Sequence, residues 1–186
     1  MNEGDATVGA SQLLTQWVSE LFPDHPNVGK EFGESAVSSP ERIPNAYREL
    51  LIGYTLSLTE IVKPTLLLNP EDGYSGTVTV ADIPFSSICA HHFLPFYGTV
   101  TVSYRPGKMI LGIGKIPRLV ELRSKRFQIQ EWIAKELAED FMTEVGSLGV
   151  EVWIAAIHHC MCARGPKSGS ARTIVTYKLG TLDDVI

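Results

Sequence analysis

The alternation of apolar and polar residues between residues 77 and 106 constrains the fold of this chain most strongly. The segments TVTVADI, SSICAHH and GTVTVSYRP repeat with a period of two, and Gly, Pro and Asp residues that favour turns lie around them. Such a pattern is typical of antiparallel strands with one buried face. RPGK is predicted to form a hairpin turn leading into a further strand in KMILGIG.

Apolar residues recur at helical spacing in the sequence before and after these strands. Residues 11–22 form one such stripe, which PDHP stops. A second stripe runs from Ser39, which can cap a helix, through Pro40 in the first turn to Leu58. The spacing is helical again from Ile116 to about Val145, with Ile129, Ile133, Leu137 and Phe141 on one face.

Two more strand-like segments, GVEVWIAAIHHCMCA and ARTIVTYKLG, end the chain. The order of elements predicts an α+β fold with helices packed on one side of an antiparallel β-sheet, preceded by an N-terminal helical pair. We expect residues 1–70 to form a helical region and residues 71–186 a catalytic domain, together one functional unit.

Composition excludes several classes of protein. The net charge of −5 gives no basic surface for a nucleic-acid polymer. No apolar run reaches the roughly 20 residues that span a membrane, and the N-terminus lacks the pattern of a signal peptide, so we expect a cytoplasmic protein. Three cysteines are too few, and odd in number, for a disulfide framework, which favours metal binding or plain burial.

Four of the five histidines and all three cysteines fall in two short segments, CAHH and HHCMC. Cys89 and His92 have the C-x-x-H spacing of a metal site, and Cys160 lies on a strand that could pair nearby. A zinc ion with three protein ligands keeps a fourth position for water, whose pKa then falls to near 7. The alternative is that both cysteines are small core residues.

Strand periodicity adds neighbours to this cluster. If the last strand continues through the cysteines, residues 158, 160 and 162 share one face, which places His158 beside Cys160. Arg164 joins that face if the register continues. Cys162 could replace Cys160 as a ligand, be a redox-sensitive neighbour, or be a buried small residue, which is the interpretation we favour.

From about Ser38 to Gly180 the chain resembles the GTP cyclohydrolase I family. Four blocks carry the resemblance: CAHHFLPF, LGIGKIPR, QIQE and HHCMCARG, in the family's order and at similar separations. The segment SSPERIPNAYRELLIGY is similar to the helix that precedes the family's sheet. Any one block is a weak signal, whereas four in register are specific.

The resemblance implies the tunnelling fold (T-fold) and a homo-oligomer, commonly a decamer, with active sites between subunits. It implies zinc bound by Cys89, His92 and Cys160, with His91 and His158 moving protons. The implied reaction is hydrolysis of the imidazole ring of GTP at C8, giving formate and 7,8-dihydroneopterin triphosphate for pterin and tetrahydrofolate biosynthesis.

The resemblance also implies which residues bind the substrate. Glu131 corresponds to the guanine-binding carboxylate, and a carboxylate can accept two parallel N–H donors from a guanine edge. Gln130, beside it, is predicted to bind substrate as well. Lys115, Arg118 and Arg164 correspond to residues that contact the triphosphate. Without the resemblance, these charged residues would be interpreted as solvated surface.

Three positions depart from the family pattern. Ala90 occupies a position where the family usually has a glutamate, Gly114 one where it has a serine, and Asn45 one where it often has a lysine. Two of these changes remove contacts on the phosphate side. Two alternative functions therefore stay open. The protein could be a hydrolase that stops after ring opening or uses a different guanine nucleotide, or a nucleotide-binding homologue without catalysis.

Overall fold

The computed structural model describes residues 3–63, 66–67 and 74–182. The chain forms two compact units, Met1–Glu49 and Leu50–Ile186. The expected boundary after residue 70 falls among residues that lie outside the described ranges, so this division stays a prediction. No helix in the described ranges is long and apolar enough to cross a bilayer.

The N-terminal unit contains helices α1 (Glu3–Leu21), α2 (Pro26–Ser38) and most of α3 (Arg42–Leu50). The predicted first helix is confirmed, but α2 was not predicted, because PDHP was interpreted only as a stop. Pro26 is the first residue of α2, where a missing backbone N–H costs nothing. The prediction that Ser39 starts a helix is wrong, since Ser39 follows the end of α2.

A five-stranded sheet forms the centre of the C-terminal unit, in the order β5-β2-β3-β6-β7. The β2–β3, β3–β6 and β6–β7 pairs are antiparallel, which confirms the predicted sheet and its two hairpins. Only the short β5 pairs in parallel, with β2. The strands are β2 (Val78–Cys89), β3 (Pro95–Arg105), β5 (Phe127–Gln128), β6 (Gly149–His158) and β7 (Thr173–Gly180).

The prediction that KMILGIG pairs with β3 is wrong. Only β4 (Met109–Ile110) forms there, and it pairs with β1 (Leu66–Leu67) in a separate two-stranded sheet. Strand β3 already has β2 on one edge and β6 on the other. No backbone edge is therefore left for a third partner.

Helices α5 (Lys115–Ser124) and α6 (Gln130–Thr143) contact the sheet, α5 through β2 and α6 through β6 and β7. The predicted apolar face of α6 is confirmed, because Ile133, Leu137 and Phe141 are fully buried. A 3₁₀ turn (Ile52–Tyr54), α4 (Leu58–Val62) and the short α7 (His159–Cys162) complete the unit.

Candidate active site

The pairing of three strands brings the two cysteine-containing segments together. Phe96 on β3 lies opposite Ser87 on β2 and opposite His158 on β6. Cys89 follows Ser87 by two residues, and Cys160 follows His158 by two residues. Cys89 is the last residue of β2 and Cys160 lies just past the end of β6, so both cysteines lie at the same end of the sheet, on either side of the start of β3.

A tight turn returns His92 toward Cys89. The backbone N–H groups of His92 and Phe93 both donate to the Cys89 carbonyl, at 3.3 and 2.9 Å, while the Cys89 N–H donates to the Leu94 carbonyl at 2.8 Å. Phe93 has a left-handed backbone, with φ of 58°, which an aromatic residue rarely adopts. Its ring stacks on Phe127 at 5.3 Å between centroids, a contact that helps to stabilise this turn.

The second cysteine is held by a helical turn. Strand β6 ends at His158, and residues 159–162 form α7. The prediction of a strand is therefore wrong after residue 158. The prediction that residues 158, 160 and 162 share one strand face is wrong for the same reason. His158 and Cys160 nevertheless line one cavity, because the helical turn curls the chain back over the strand end.

Cys89, His92 and Cys160 form a group that could hold a metal ion. Their ligand atoms all lie within 4.8 Å of one another, and Cys89 Sγ is 3.6 Å from His92 Nδ1. Both cysteines are buried, whereas His92 is exposed. Burial raises the pKa of the Cys160 thiol, and the nearby Cys89 sulfur raises it further. A bound cation would oppose both effects by stabilising the thiolate.

A cavity of about 220 Å³ opens beside this group. It is lined by both predicted proton-transfer residues, His91 and His158, and by Glu131 in the first turn of α6. His91 and Glu131 are exposed to solvent, so a ligand could reach them. A larger cavity, of about 560 Å³, lies in the N-terminal unit, but none of the described residues that line it is ionisable.

His158 is the most constrained of the catalytic candidates. Its ring stacks face to face on Phe96, with 4.5 Å between centroids and 5° between planes. Its Nε2 lies 2.8 Å from Gln130 Oε1. Burial lowers the pKa of His158, and Glu131 partly opposes this shift. The sequence analysis missed Phe96; the only signal for it was the PF pair that ends the CAHHFLPF block.

The predicted phosphate-binding cations are not in this cavity. Among the described residues, Lys115 Nζ donates to the Lys63 carbonyl, and Arg118 lines a separate cavity of about 230 Å³ beside Glu121. Arg164 is exposed just after α7, close enough for its charge to favour the Cys160 thiolate. One chain therefore assembles the metal-ligand group and Glu131 without Lys115 or Arg118.

Cys162 is half-buried in α7. Its thiol donates to the His158 carbonyl at 3.2 Å, four residues back in the chain. Within the described part of the chain, the group that could hold a metal contains Cys160 and not Cys162. Cys162 thus packs beside the site as a small residue, close to the interpretation that we favoured.

The family model for GTP cyclohydrolase I matches residues 26–185. The chain belongs to this family. The GTP cyclohydrolase 1 of Campylobacter jejuni subsp. jejuni serotype O:6 is 38% identical over 156 residues, covering 84% of this chain and 78% of that protein. The GTP cyclohydrolase 1 of Leptospira biflexa is 37% identical over 147 residues, 79% of each chain.

A crystal structure of the archaeosine synthase QueF-Like in the apo form is also similar, with a TM-score of 0.47 and 19% sequence identity. The alignment covers 59% of this chain and 99% of the QueF-Like chain. The membership of the GTP cyclohydrolase I family confirms the resemblance drawn from the four sequence blocks. It also confirms the expectation of an enzyme of this type with an α+β tunnelling fold.

Proposed function

We propose that this protein is a zinc-dependent, cytoplasmic GTP cyclohydrolase I that hydrolyses the imidazole ring of GTP at C8, giving formate and 7,8-dihydroneopterin triphosphate. The observation that carries the proposal is the convergence of Cys89, His92 and Cys160 at one cavity that also contains His91, His158 and Glu131. A structural metal site would require none of the latter three residues.

The donor set fits zinc. Two sulfurs and one imidazole are typical zinc ligands, and a tetrahedral site places sulfur and nitrogen about 3.5 Å apart. The 3.6 Å between Cys89 Sγ and His92 Nδ1 agrees with this spacing. Zinc held by these three ligands would supply a Lewis acid that lowers the pKa of water at its fourth position.

The remaining cavity residues supply recognition and proton transfer. Glu131 can accept two N–H donors from the edge of guanine, which orients C8 relative to the metal-ligand group. His91 is exposed at the cavity and can exchange protons with the substrate. Burial lowers the pKa of His158 and so favours the neutral ring, which can accept a proton from an attacking water and return it to a ring nitrogen.

Lys115 and Arg118, two of the three cations predicted to contact the triphosphate, do not line the cavity of their own chain. We propose that the protein assembles as a homo-oligomer, a decamer by resemblance, in which Lys115 and Arg118 of a neighbouring subunit complete each site. The exposure of Arg118 supports this role, because its guanidinium is accessible from outside the chain. Arg164 would contact the same phosphates from the chain that supplies Cys160.

Incubation of zinc-loaded protein with GTP tests the proposal directly. We expect release of formate and, after oxidation, a fluorescent pterin that carries the triphosphate. Mass spectrometry of the products from GTP, GDP, GMP and dGTP separates the alternatives. A formamide product from GTP would indicate an enzyme that stops after ring opening, and binding without turnover would indicate a non-catalytic homologue.

A further inference from the structure

Gln130 has the most completely bonded side chain beside the candidate site. It is the first residue of α6 and only 1% exposed. Its Nε2 donates to the carbonyls of Ile154 on β6 and Thr173 on β7, both at 3.0 Å. Its Oε1 lies 2.8 Å from His158 Nε2. The amide thus joins a helix, two strands and a candidate catalytic histidine.

The two carbonyls determine which way the Gln130 amide faces. Carbonyl oxygens only accept hydrogen bonds, so the group that faces them must be the NH₂, with one hydrogen for each. The flipped amide would place Oε1 against two oxygens and lose both bonds, which is costly in a buried position. Oε1 must therefore face His158.

The orientation of the Gln130 amide in turn determines the tautomer of His158. Because Oε1 can only accept, His158 Nε2 must carry the hydrogen of this bond. In the neutral ring, the unprotonated nitrogen is then Nδ1. Among the described residues, Nδ1 has no hydrogen-bond partner, and Phe96 covers one face of the ring.

We propose that Gln130 is a positioning residue that fixes His158 in the Nε2–H tautomer, leaving Nδ1 as the nitrogen that exchanges protons with the substrate. This inference rests on the proposed function for the identity of the substrate. In the forward step, the Nδ1 lone pair takes a proton from the water that adds to C8, while Nε2–H stays bonded to Gln130 Oε1. The same proton then leaves Nδ1 for the imidazole nitrogen whose bond to C8 breaks.

This role replaces the expectation that Gln130 binds the substrate. Both N–H donors and the inward-facing lone pair of its amide are already used within the chain. A substrate contact would require at least one of these bonds to break, at a side chain that is only 1% exposed. Glu131, the next residue, is exposed and keeps the guanine-binding role that we propose for it.

The histidine ring itself provides the first test. Zinc-loaded protein is labelled with ¹⁵N-histidine, and the His158 ring signals are assigned by their loss in His158→Gln. We expect a protonated Nε2 and an unprotonated Nδ1 in the neutral ring. A neutral ring protonated at Nδ1 would overturn the proposal. This measurement uses the wild-type fold and does not depend on turnover, so it also stands if the protein fails to hydrolyse GTP.

Steady-state kinetics provide the second test, with a matched control two residues away. Gln128 is 3% exposed, and its Nε2 donates to the Arg123 carbonyl and to Glu136, with no bond to His158. Gln130→Met and Gln128→Met each remove a buried amide of the same size. We expect Gln130→Met to lower kcat about 10- to 100-fold, with KM within about threefold of the wild type.

We expect the kcat of Gln128→Met to fall by less than about threefold, because the proton-transfer ring keeps its partner. Equal losses of kcat in the two variants would reduce Gln130 to a packing role and overturn the proposal. An increase in KM with kcat retained in Gln130→Met would instead show direct substrate binding. Zinc content and Tm, measured for both variants, identify any loss of fold.

Discussion

The candidate metal site at the end of the sheet and the start of α5 differ in how completely one chain assembles them. At the sheet end, two cysteines, three histidines and Glu131 line a single cavity. At the start of α5, Lys115 bonds to a backbone carbonyl of its own chain, and the exposed Arg118 lines a different cavity. The first region brings together the groups that we propose for bond cleavage, and the second offers cations that lie apart from those groups.

This difference follows from how each region is held. The pairing of β2, β3 and β6 fixes the metal ligands, and a one-residue slip in register would separate the cysteines. The α5 cations lie on a helix whose other face is buried against β2. Side chains that paired strands hold rigidly are suited to catalysis. Cations on the outward face of a helix are suited to contact with another molecule. Variants of the two regions test this division between a chain's own site and what a neighbour adds.

The largest effect is expected when a buried metal ligand is removed. Cys160→Ala leaves two ligands, so we expect loss of bound zinc and of all measurable turnover. Metal analysis of the purified variant, together with formate release, checks this. Cys162→Ala is the matched control, since it removes a thiol from the same helical turn. It should keep its zinc, and loss of zinc from Cys162→Ala alone would reverse the assignment of the two cysteines.

His91→Ala is expected to separate metal binding from catalysis. His91 lines the cavity but is not in the group that could hold a metal. We expect zinc content near the wild-type value and a decrease in kcat of about 10²- to 10⁴-fold, the usual contribution of general acid–base catalysis. If this variant loses zinc as fully as Cys160→Ala does, His91 is a ligand and our assignment of roles is wrong.

The residues of the candidate metal site could be predicted from the sequence, but the local structure that holds them could not. The spacing of Cys89 and His92 and the resemblance pointed to three residues that the structure brings together, but strand periodicity placed Cys160 on a continuous strand. The turn at α7 depends on how residues 159–162 close over β3, which period-two counting cannot detect. The hydrogen bond between Gln130 and His158 could not be predicted from the sequence either, because the packing of α6 on β6 brings together residues 28 positions apart.

Mixed oligomers test whether a neighbour completes the site. Arg118→Ala should raise KM for GTP about 10- to 100-fold, as expected for a lost charge-assisted bond. Co-expression of Arg118→Ala with His91→Ala should restore about a quarter of the sites, because a site then combines an intact cavity from one chain with Arg118 from another. Activity assayed at GTP concentrations below KM measures this recovery.

Co-expression of His91→Ala with Cys160→Ala is the control for this complementation. Both changes fall in the cavity that one chain assembles, so every site lacks one group or the other and no recovery is expected. If Arg118→Ala with His91→Ala likewise gives no more than the sum of the separate variants, the cations act within their own chain. The division between the two regions would then be wrong.

The smallest effect is expected from restoring the serine that the family has in place of Gly114. Gly114 precedes α5 with φ of −68°, and no atom lies within 4 Å of an added Cβ, so a side chain fits without strain. A serine hydroxyl there could donate to a phosphate bound at Lys115 and Arg118. We expect Gly114→Ser to lower KM for GTP about two- to tenfold, the net effect of one typical solvent-exposed hydrogen bond, with kcat unchanged. Because the gain requires phosphates, KM for guanosine should not change; an equal decrease for guanosine would indicate that the serine acts through the fold of α5 and not through the triphosphate.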